Sequence, residues 1–250
     1  MPTTVPQRIT FPGGNQARVV AARKGATGKS LLAALGLPAP RGVLVVNGGT
    51  AALDADLAAK LSALFQDGLA RVAADAQLTV VTGATDAGIF TLLGQGLARW
   101  GRKAPCIGVT VASLARLPGA PQTGPEQTSL EPHHSHFVLT PGEHWGDETA
   151  IMYDLVAALG AQAPSVAVFT GGGSITRSEA LTNTRQRRPA IVLAGSGRFA
   201  DELAAVARGE AVPAKDDVAE IARDGDLSLF DLRQPPEQLA ALVRQRLHLA

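Results

Sequence analysis

The sequence has 250 residues, of which 46% are hydrophobic and 18% charged, a composition typical of a globular protein with a buried core. It contains no run of eighteen apolar residues, so we expect no membrane-spanning helix. The net charge is only +1, which is too small for the strong non-specific attraction to nucleic acid that basic domains show.

The amino-terminal segment MPTTVPQRITFPGGNQ has no apolar stretch of the kind found in secretory signals. The single cysteine, Cys106, cannot form a disulfide within the chain. Both features favour a cytoplasmic protein.

The segment RKGATGKSLLAALGL (23–37) resembles a phosphate-binding P-loop, because Gly28, Lys29 and Ser30 stand before a helical pattern. A P-loop also needs a glycine five positions before Gly28, where this chain has Arg23. We therefore predict a basic loop followed by a short apolar helix, with Thr27 or Ser30 as its N-cap.

Apolar, β-branched runs recur along the chain, and each ends in glycine or small polar residues. They predict strands at 17–22, 42–49, 78–84, 105–111, 136–140, 165–173 and 190–197. Helical patterns lie between them, at about 51–74, 86–101, 147–161, 174–187 and 199–208. Because the strand runs lack polar alternation, the sequence predicts an α/β fold with a mainly parallel sheet covered by helices on both faces.

Two further regions complete the chain. Residues 112–135 form a Pro-, Gly- and Thr-rich stretch without periodicity, whose length is typical of a lid or binding loop. Residues 209–250 predict two helices around a short strand, LSLFDL, at the edge of the sheet. We interpret 1–250 as one domain, with a core at about 42–206, a strand and helix within 1–41, and edge elements in 207–250.

Glycine-rich loops are the first sign of a binding site. In a parallel sheet the carboxyl ends of the strands meet at one edge, where helix N-termini add partial positive charge. Four loops predicted at this edge are Gly48–Thr50, Thr82–Asp86, Gly171–Ser174 and Gly195–Arg198. Such turns often need glycine for geometry alone, but glycine also lets the backbone approach an anion closely. Together the four loops favour a phosphate-bearing ligand.

The run GSGRFA (195–200) also fits the dinucleotide fingerprint of hydride-transfer enzymes. That fingerprint normally opens a fold and is followed, about twenty residues later, by an acid at the end of a second strand. Here Asp216 and Asp217 lie in a helical pattern instead. An NAD-dependent dehydrogenase is therefore disfavoured.

A family resemblance is carried by the segments VVNGGTAAL, FQDGLARVA, VVTGATDAG, CIGVTV, LEPHHSHFVL, FTGGGSIT and PAIVLAGSGRFADELA. In this order and spacing, over about 42–206, the chain resembles the SLOG domain, in the branch found in animal TRPM channels and in stand-alone prokaryotic proteins. The resemblance implies a Rossmann-like three-layer sandwich and a nucleotide-derived ligand, which in the channels is of the ADP-ribose class. It does not imply a channel, because the sequence has no membrane segment.

The resemblance also implies which residues bind the ligand. The family's first ligand loop matches Thr82, Gly83, Thr85 and Asp86. Its phosphate-contacting turn matches Gly172, Gly173 and Thr176, and the arginine of its GSGR element matches Arg198. An aromatic residue after HSHF matches Trp145, whose ring is suited to stacking on a base. The remaining predicted ligand-binding residues come from the glycine loops and are Gly48, Gly49, Ser174, Gly195 and Gly197.

One family position is changed in this chain. Seven residues after Trp145, where ADP-ribose-binding channel domains carry an arginine, this sequence has Met152. One partner of the pyrophosphate is thereby missing, which argues against ADP-ribose itself, and Arg177, Arg185 and Lys29 are the candidates to substitute for it.

A related branch, the cytokinin-activating LOG phosphoribohydrolases, carries the turn GG-x-x-T-x-x-E. This chain reads GGSITRSE (172–179), so Glu179 matches the acid and lies one helical turn after Thr176, on the same face. In N-glycosidic cleavage a carboxylate can stabilise an oxocarbenium-like transition state or help a water to attack. The alternative is a capping or solvated acid, which is favourable in any first helical turn.

Four of the five histidines lie close together in the sequence, with Glu131, Glu143 and Asp147 nearby: His133, His134, His136 and His144. Their spacing matches no known zinc pattern, and in an extended HHSHF run only the second and third histidines would share a face. We predict no metal site, and interpret the cluster as hydrogen-bonded histidines at the start of a strand.

The sequence therefore predicts a protein that binds or senses a nucleotide-derived ligand, such as ADP-ribose, NAD or a nucleoside phosphate, without a certain cofactor. The alternative is a LOG-like hydrolase that splits base from ribose phosphate, with Glu179 as its catalytic residue. Single-strand DNA binding, as in the DprA relatives, is disfavoured because only 4% of the residues are aromatic. Neither a membrane nor nucleic acid is expected as a partner, and a homo-oligomer is left open.

Overall fold

One large sheet organises the chain. The computed structural model describes residues 5–49 and 55–249. Within them the strands are β1 (Gln7–Thr10), β2 (Gln16–Ala21), β3 (Val43–Gly48), β4 (Thr79–Thr82), β5 (Cys106–Val111), β6 (Ala115–Arg116), β7 (Thr128–Ser129), β8 (His136–Thr140), β9 (Ser165–Thr170), β10 (Ala190–Ala194) and β11 (Leu227–Asp231). β6 and β7 pair with each other, and the other strands form one sheet in the order β1-β2-β8-β5-β4-β3-β9-β10-β11.

Parallel pairing dominates this sheet. β1 and β2 form an antiparallel pair, whereas every later neighbour from β2–β8 to β10–β11 is parallel. The predicted mainly parallel sheet is thus confirmed. β1 lies outside the predicted strands, because its sequence, QRIT, has one apolar residue and leaves most of its side chains exposed.

Helices cover both faces of the sheet. They are α1 (Gly28–Leu35), α2 (Ala55–Ala63), α3 (Arg71–Ala76), α4 (Gly88–Arg99), α5 (Thr149–Gly160), α6 (Ser174–Arg185), α7 (Arg198–Ala207), α8 (Asp216–Asp224) and α9 (Pro236–Arg246). A π-helical stretch, Leu64–Ala70, joins α2 to α3. None of the helices within the described ranges is long and apolar enough to cross a bilayer.

Alternate side chains of β3 enter two separate cores. Val43 and Val45 pack with residues of α1, α5, α6, α7 and α8, whereas Leu44 and Val46 pack with residues of α2, α3, α4 and α9. Because successive side chains of a strand point to opposite faces, this alternation places the sheet between two helical layers. The predicted Rossmann-like three-layer sandwich is confirmed.

The glycine-rich ends of two predicted strands do not belong to the sheet. The predicted strand at 165–173 ends at Thr170, and the one at 190–197 ends at Ala194. Gly171 and Gly195 follow with φ angles of +53° and +95°, so the backbone turns away at the first glycine. These turns, rather than the strands, carry the predicted site residues.

The predictions for the other segments have different outcomes. The predicted helix at 51–74 contains α2, the π-helical stretch and part of α3, while its first residues, 51–54, lie outside the described residues. The stretch 112–135 holds only β6 and β7. Residues 209–250 form α8, β11 and α9, with β11 beside β10 at the edge of the sheet, as predicted.

Candidate functional site

The strand order reverses between β3 and β9. From β3 the sheet continues through β4, β5 and β8 in one direction, whereas β9, β10 and β11 continue in the other. The two strands end side by side, with Gly48 paired to Thr170. Loops that leave neighbouring strands in opposite directions form a crevice, and open parallel sheets bind their ligands at such a point.

A cavity of about 410 Å³ opens at this crevice. The predicted residues that line it are Gly48, Gly49, Gly83, Thr85, Trp145, Gly173, Ser174, Thr176, Glu179 and Arg198. They come from the end of β3, from the loops after β3, β4 and β9, from α6, from the start of α7 and from the segment before α5. Thr50, at the end of the first glycine loop, lies outside the described residues.

Five other predicted residues do not line the cavity. Thr82 and Gly172 are buried. Asp86 and Gly195 line separate surface grooves, and Gly197 is the N-cap of α7. The structure therefore brings together most of the predicted site residues, but it places these five outside the cavity lining.

Gly172 shapes the turn after β9 without lining the cavity. Its φ of +83° lies in the left-handed region that favours glycine. A Cβ at this position would lie 2.3 Å from Thr176 Oγ1. Thr176 can therefore sit at the cavity only because residue 172 has no side chain.

The N-terminus of α1 is occupied by the protein's own groups. Thr27 is its N-cap, as predicted, and accepts a hydrogen bond from the Ser30 N–H at 3.2 Å. The Gly28 N–H donates to Asp154 Oδ2 at 2.6 Å. A carboxylate of α5 thus lies where a P-loop would hold a phosphate.

The turns after β9 and β10 are joined to each other by hydrogen bonds. The Gly171 N–H donates to Ser196 Oγ at 2.8 Å. In the other direction, the Phe199 and Ala200 N–H groups at the start of α7 donate to the Gly172 and Gly171 carbonyls, at 3.3 and 3.1 Å. The N-terminus of α7 therefore binds the neighbouring turn and has fewer N–H groups left for a ligand.

The N-terminus of α6 is open by comparison. Its N-cap, Gly173, has no side chain to cap the first turn, and residues 173–176 all line the cavity. The N-cap of α4, Ala87, also lines the cavity and makes no side-chain cap. Uncapped N–H groups and the positive ends of two helix dipoles thus adjoin one cavity, an arrangement that favours an anion.

Arg198 provides the positive charge at the rim. Among the described residues it is the one Lys or Arg side chain that lines the cavity, and it is exposed and forms no ion pair with them. Its φ is +52°, which is unusual for a residue other than glycine. A guanidinium in this position can bind a phosphate with two parallel hydrogen bonds.

The three cations considered for the arginine that is missing at Met152 lie outside the cavity lining. Arg177 pairs with Asp217 at 2.7 Å, and Arg185 is held by Glu220, so both are directed away from the cavity lining. Lys29 does not line the cavity either. None of the three candidates is therefore among the lining residues that the structure describes, and Met152 itself is buried in the core.

Two carboxyl groups form the inner wall. Glu179 on α6 and Glu148 at the N-cap of α5 are each 8% exposed and line the cavity. Burial, and after it the negative charge of Glu148, raises the pKa of Glu179 to about 8. Burial also raises the pKa of Glu148, although its acceptance of the Gly146 N–H at 2.9 Å opposes this. Glu179 is therefore mainly a neutral acid at pH 7.

More polar groups lie beneath this wall. Asn47, Tyr153 and Thr170 are each at most 2% exposed. The Thr170 hydroxyl has no hydrogen-bond partner among the described residues, and the Asn47 amide lies beside the Tyr153 hydroxyl without the geometry of a full hydrogen bond. Burial and the charge of Glu179 raise the pKa of Tyr153. The sheet thus has a polar layer where its core would otherwise be apolar.

The outer wall is apolar and partly aromatic. Trp145 is half-buried, and Ile175, in the first turn of α6, is 36% exposed. A Cβ built on Gly146 would lie 3.3 Å from the Ile175 side chain, so the segment with Trp145 packs against α6. Phe90 of α4 also lines the cavity. Such surfaces suit a planar base.

The four histidines that are close in sequence have separate contacts in the structure. His134 is buried, His133 contacts Asn15 and Arg102, and His144 is exposed. Burial and the charge of Arg18 lower the pKa of His136 to about 4. Within residues 5–49 and 55–249, no group of three or more His, Cys, Asp or Glu side chains is arranged to hold a metal ion.

Five lining residues are absent from the sequence prediction: Ala87, Phe90, Thr128, Glu148 and Ile175. A feature of the sequence could have indicated Glu148 as a site residue, because it is an acid at the start of a predicted helix, three residues after Trp145. Ile175 could have been indicated in the same way, since it lies inside the GGSIT turn. Thr128 lies in the long loop at 112–135, where the sequence gives no periodicity to place a residue.

The chain is similar to part of two channel proteins of much greater length. This chain is 25% identical over 207 residues to "Transient receptor potential cation channel subfamily M member 2" of Mus musculus, covering 69% of this chain and 14% of the channel. It is 28% identical over 196 residues to a "Transient receptor potential channel" of Caenorhabditis elegans, covering 66% of this chain and 10% of that protein. The family model described as "SLOG in TRPM, prokaryote" matches residues 41–241. The chain therefore belongs to this SLOG family.

Proposed function

We propose that this protein binds a nucleotide-derived ligand in the cavity between β3 and β9. The observation that carries the proposal is the meeting of Arg198, the uncapped start of α6 and the Trp145 ring in one cavity. The first two suit a phosphate, and the third suits a base. The SLOG resemblance, which implies a ligand of this class, supports the same function.

The inner wall suits the sugar that connects base to phosphate. Glu179, as a buried neutral acid, can donate a hydrogen bond, and the second carboxyl group, Glu148, can accept one. A ribose hydroxyl both donates and accepts, so one such pair satisfies it. A phosphate at this wall would instead meet two acidic groups, which is unfavourable.

The cation count favours a ligand with one phosphate. Among the described residues, Arg198 is the single arginine or lysine of the lining, and Met152 leaves no second partner for a pyrophosphate. We therefore place a nucleoside monophosphate first among the ligand classes, ahead of ADP-ribose and NAD.

A thermal-shift panel tests this function. AMP, ADP-ribose and NAD are compared with adenosine and ribose 5-phosphate, which carry only part of the recognised chemistry. We expect AMP to raise the melting temperature most, because a ligand that binds only the folded state stabilises it by mass action. A panel in which no nucleotide shifts the melting temperature would contradict the proposal.

A second candidate function is favoured by one observation, the raised pKa of Glu179. An acid that keeps its proton near pH 7 can donate it to a leaving base while water adds to C1′ of the ribose. The products would be the free base and ribose phosphate, and the proton of the water would return to the carboxyl pair. Sensing stays our first proposal, because this chain resembles the channel-type branch over far more residues than the LOG turn.

Chromatography of released base separates the two functions. We expect no base release from AMP, ADP-ribose or NAD by the wild-type protein. If it is a hydrolase, Glu179→Gln should bind the ligand almost unchanged yet release base about a hundredfold more slowly, because the acid then acts mainly in the transition state. Base release that depends on Glu179 would replace the sensing function with the enzymatic one.

A further inference from the structure

A buried chain of hydrogen bonds connects the turn at 131–134 to the end of β4. Thr82 Oγ1 lies 2.6 Å from His134 Nε2, and His134 Nδ1 lies 2.6 Å from Glu131 Oε2. The three side chains are at most 1% exposed. The order of groups resembles that of a hydrolase triad, but its hydroxyl is closed off from any substrate.

The hydrogen bonds along this chain have one consistent direction. The Ala84 N–H donates to Thr82 Oγ1 at 3.1 Å, which leaves the hydroxyl proton of Thr82 to point at His134 Nε2. His134 then donates from Nδ1 to the Glu131 carboxylate, which also accepts the His133 N–H at 2.8 Å. This network assigns the Nδ1–H tautomer to His134.

The chain ends on a residue with an unusual backbone. Ala84 has a φ of +71° and is fully buried. Most non-glycine residues with positive φ in the described part of the chain lie just after a helix, where this conformation is common. Ala84 and Arg198 are the exceptions. Such a conformation persists only where the surroundings enforce it.

Both backbone polar groups of Ala84 are tied to the same turn. Its N–H is held through Thr82 and His134, and its carbonyl accepts the Glu131 N–H at 2.9 Å. The residues on either side, Gly83 and Thr85, line the cavity. The conformation of this loop therefore sets where two lining residues stand.

We propose that Glu131, His134 and Thr82 are positioning residues that hold the loop 83–85 in the form that lines the cavity. The functional meaning of this inference rests on the proposed ligand site. Its structural claim, that the three side chains fix the backbone at Ala84, does not depend on a ligand. None of these three residues is among the residues that line the cavity.

The packing around the chain supports this role. A Cβ on Gly94 would lie 2.1 Å from Glu131 Oε1, so α4 can pass the carboxylate only at a glycine. The His134 ring stacks on Phe137 with centroids 5.7 Å apart. Glu131 Oε1 has no hydrogen-bond partner among the described residues, so the carboxylate is held through its other oxygen.

The experiment compares a variant of Thr82 that lacks the hydroxyl group with one that keeps it. Thr82→Val keeps the shape and removes the hydrogen bonds, whereas Thr82→Ser keeps the hydroxyl. Amide hydrogen exchange of Ala84 is measured by NMR, together with affinity for AMP and ADP-ribose. For Thr82→Val we expect exchange at Ala84 at least about tenfold faster and affinity about tenfold weaker, and for Thr82→Ser values close to wild type.

Thr110→Val is the matched control. Thr110 is a fully buried β5 residue whose hydroxyl has no partner among the described residues, so this change leaves the loop alone. His134→Phe, which keeps a ring against Phe137, is the second variant and serves if Thr82→Val does not fold. We expect it to accelerate exchange at Ala84 as Thr82→Val does, and the double variant to add little.

The outcomes separate this inference from the proposed function. If Ala84 exchanges at the wild-type rate in Thr82→Val and in His134→Phe, the positioning role is wrong. Faster exchange with unchanged affinity also overturns it, because the loop then does not matter for binding. If the wild-type protein binds neither AMP nor ADP-ribose, the proposed function fails, and the exchange rates alone still decide whether the chain holds the loop.

Discussion

Glu148 and Glu179 bring two buried carboxyl groups to one cavity wall, and neither forms an ion pair among the described residues. Glu148 is the N-cap of α5, and Glu179 lies in the second turn of the neighbouring helix α6. Buried acids normally have a cationic partner. Here the energetic cost of burial is reduced because Glu179 keeps its proton at neutral pH.

The first prediction concerns the pH dependence of stability. The pKa of Glu179 is higher in the folded state, about 8, than its ordinary value of 4.5, so the folded protein binds more protons between these values. Stability should therefore fall as pH rises through this window. Glu179→Gln has no such proton, and its free energy of unfolding relative to wild type should increase by up to about 1.4 kcal/mol per pH unit there.

Urea denaturation at about pH 5, 7 and 9 measures this difference. Glu126→Gln, at an exposed loop position, is the control and should show no such trend. A constant difference between Glu179→Gln and wild type over this range would show that the folded-state pKa of Glu179 is close to its ordinary value.

The second prediction tests the cation at the rim. Arg198→Ala should weaken AMP binding by roughly 1.5 to 3 kcal/mol, about ten- to a hundredfold, because a charge-assisted contact to phosphate is lost. Arg177→Ala is the control, since Arg177 pairs with Asp217 and does not line the cavity. Titration calorimetry measures both. Equal affinities of Arg198→Ala and wild type would remove Arg198 from the site.

The third prediction concerns the segment that resembles a P-loop. Lys29→Ala should leave nucleotide affinity within about threefold, because Lys29 can contribute only diffuse charge. The N-terminus of its helix is already bound by Thr27 and Asp154. A hundredfold loss of affinity in the same calorimetric assay would show that this helix binds phosphate after all.

The fourth prediction uses the two tryptophans as reporters. Trp145 lines the cavity, whereas Trp100 donates to the Gln66 carbonyl and lies under Arg71 and Arg99. In Trp100→Phe, AMP should still change the tryptophan fluorescence. In Trp145→Phe the change should disappear, and Trp145→Ala should bind roughly tenfold more weakly through lost stacking. A signal that depends on Trp100 would place the ligand elsewhere.

The sequence predicts the sheet well because burial on both faces leaves a local signal. The predicted strand at 136–140 has the bounds of β8, and every predicted strand has a counterpart in the sheet. The hairpin strand β1 leaves no such signal, since its side chains face solvent. Its place depends on pairing with β2, a contact between segments that periodicity cannot show.

Some residues of the candidate site can likewise be predicted from the sequence, whereas others cannot. Glycine turns such as the one at Gly173 can be found because they lie at the ends of predicted strands. By contrast, Arg177 pairs with Asp217, forty positions later in the chain, and this pairing depends on how α6 packs against α8. The burial of Glu179, which together with the charge of Glu148 raises its pKa, likewise depends on tertiary packing and not on neighbouring residues in the sequence.

The hydrogen bonds between the turns at 171–172 and 196–200 have a mechanical consequence. Because Ser196 and the start of α7 bind the Gly171 and Gly172 backbone, the two turns can shift only as one body. A ligand that displaces the turn at 171–172 would therefore also displace the start of α7, where Arg198 lies.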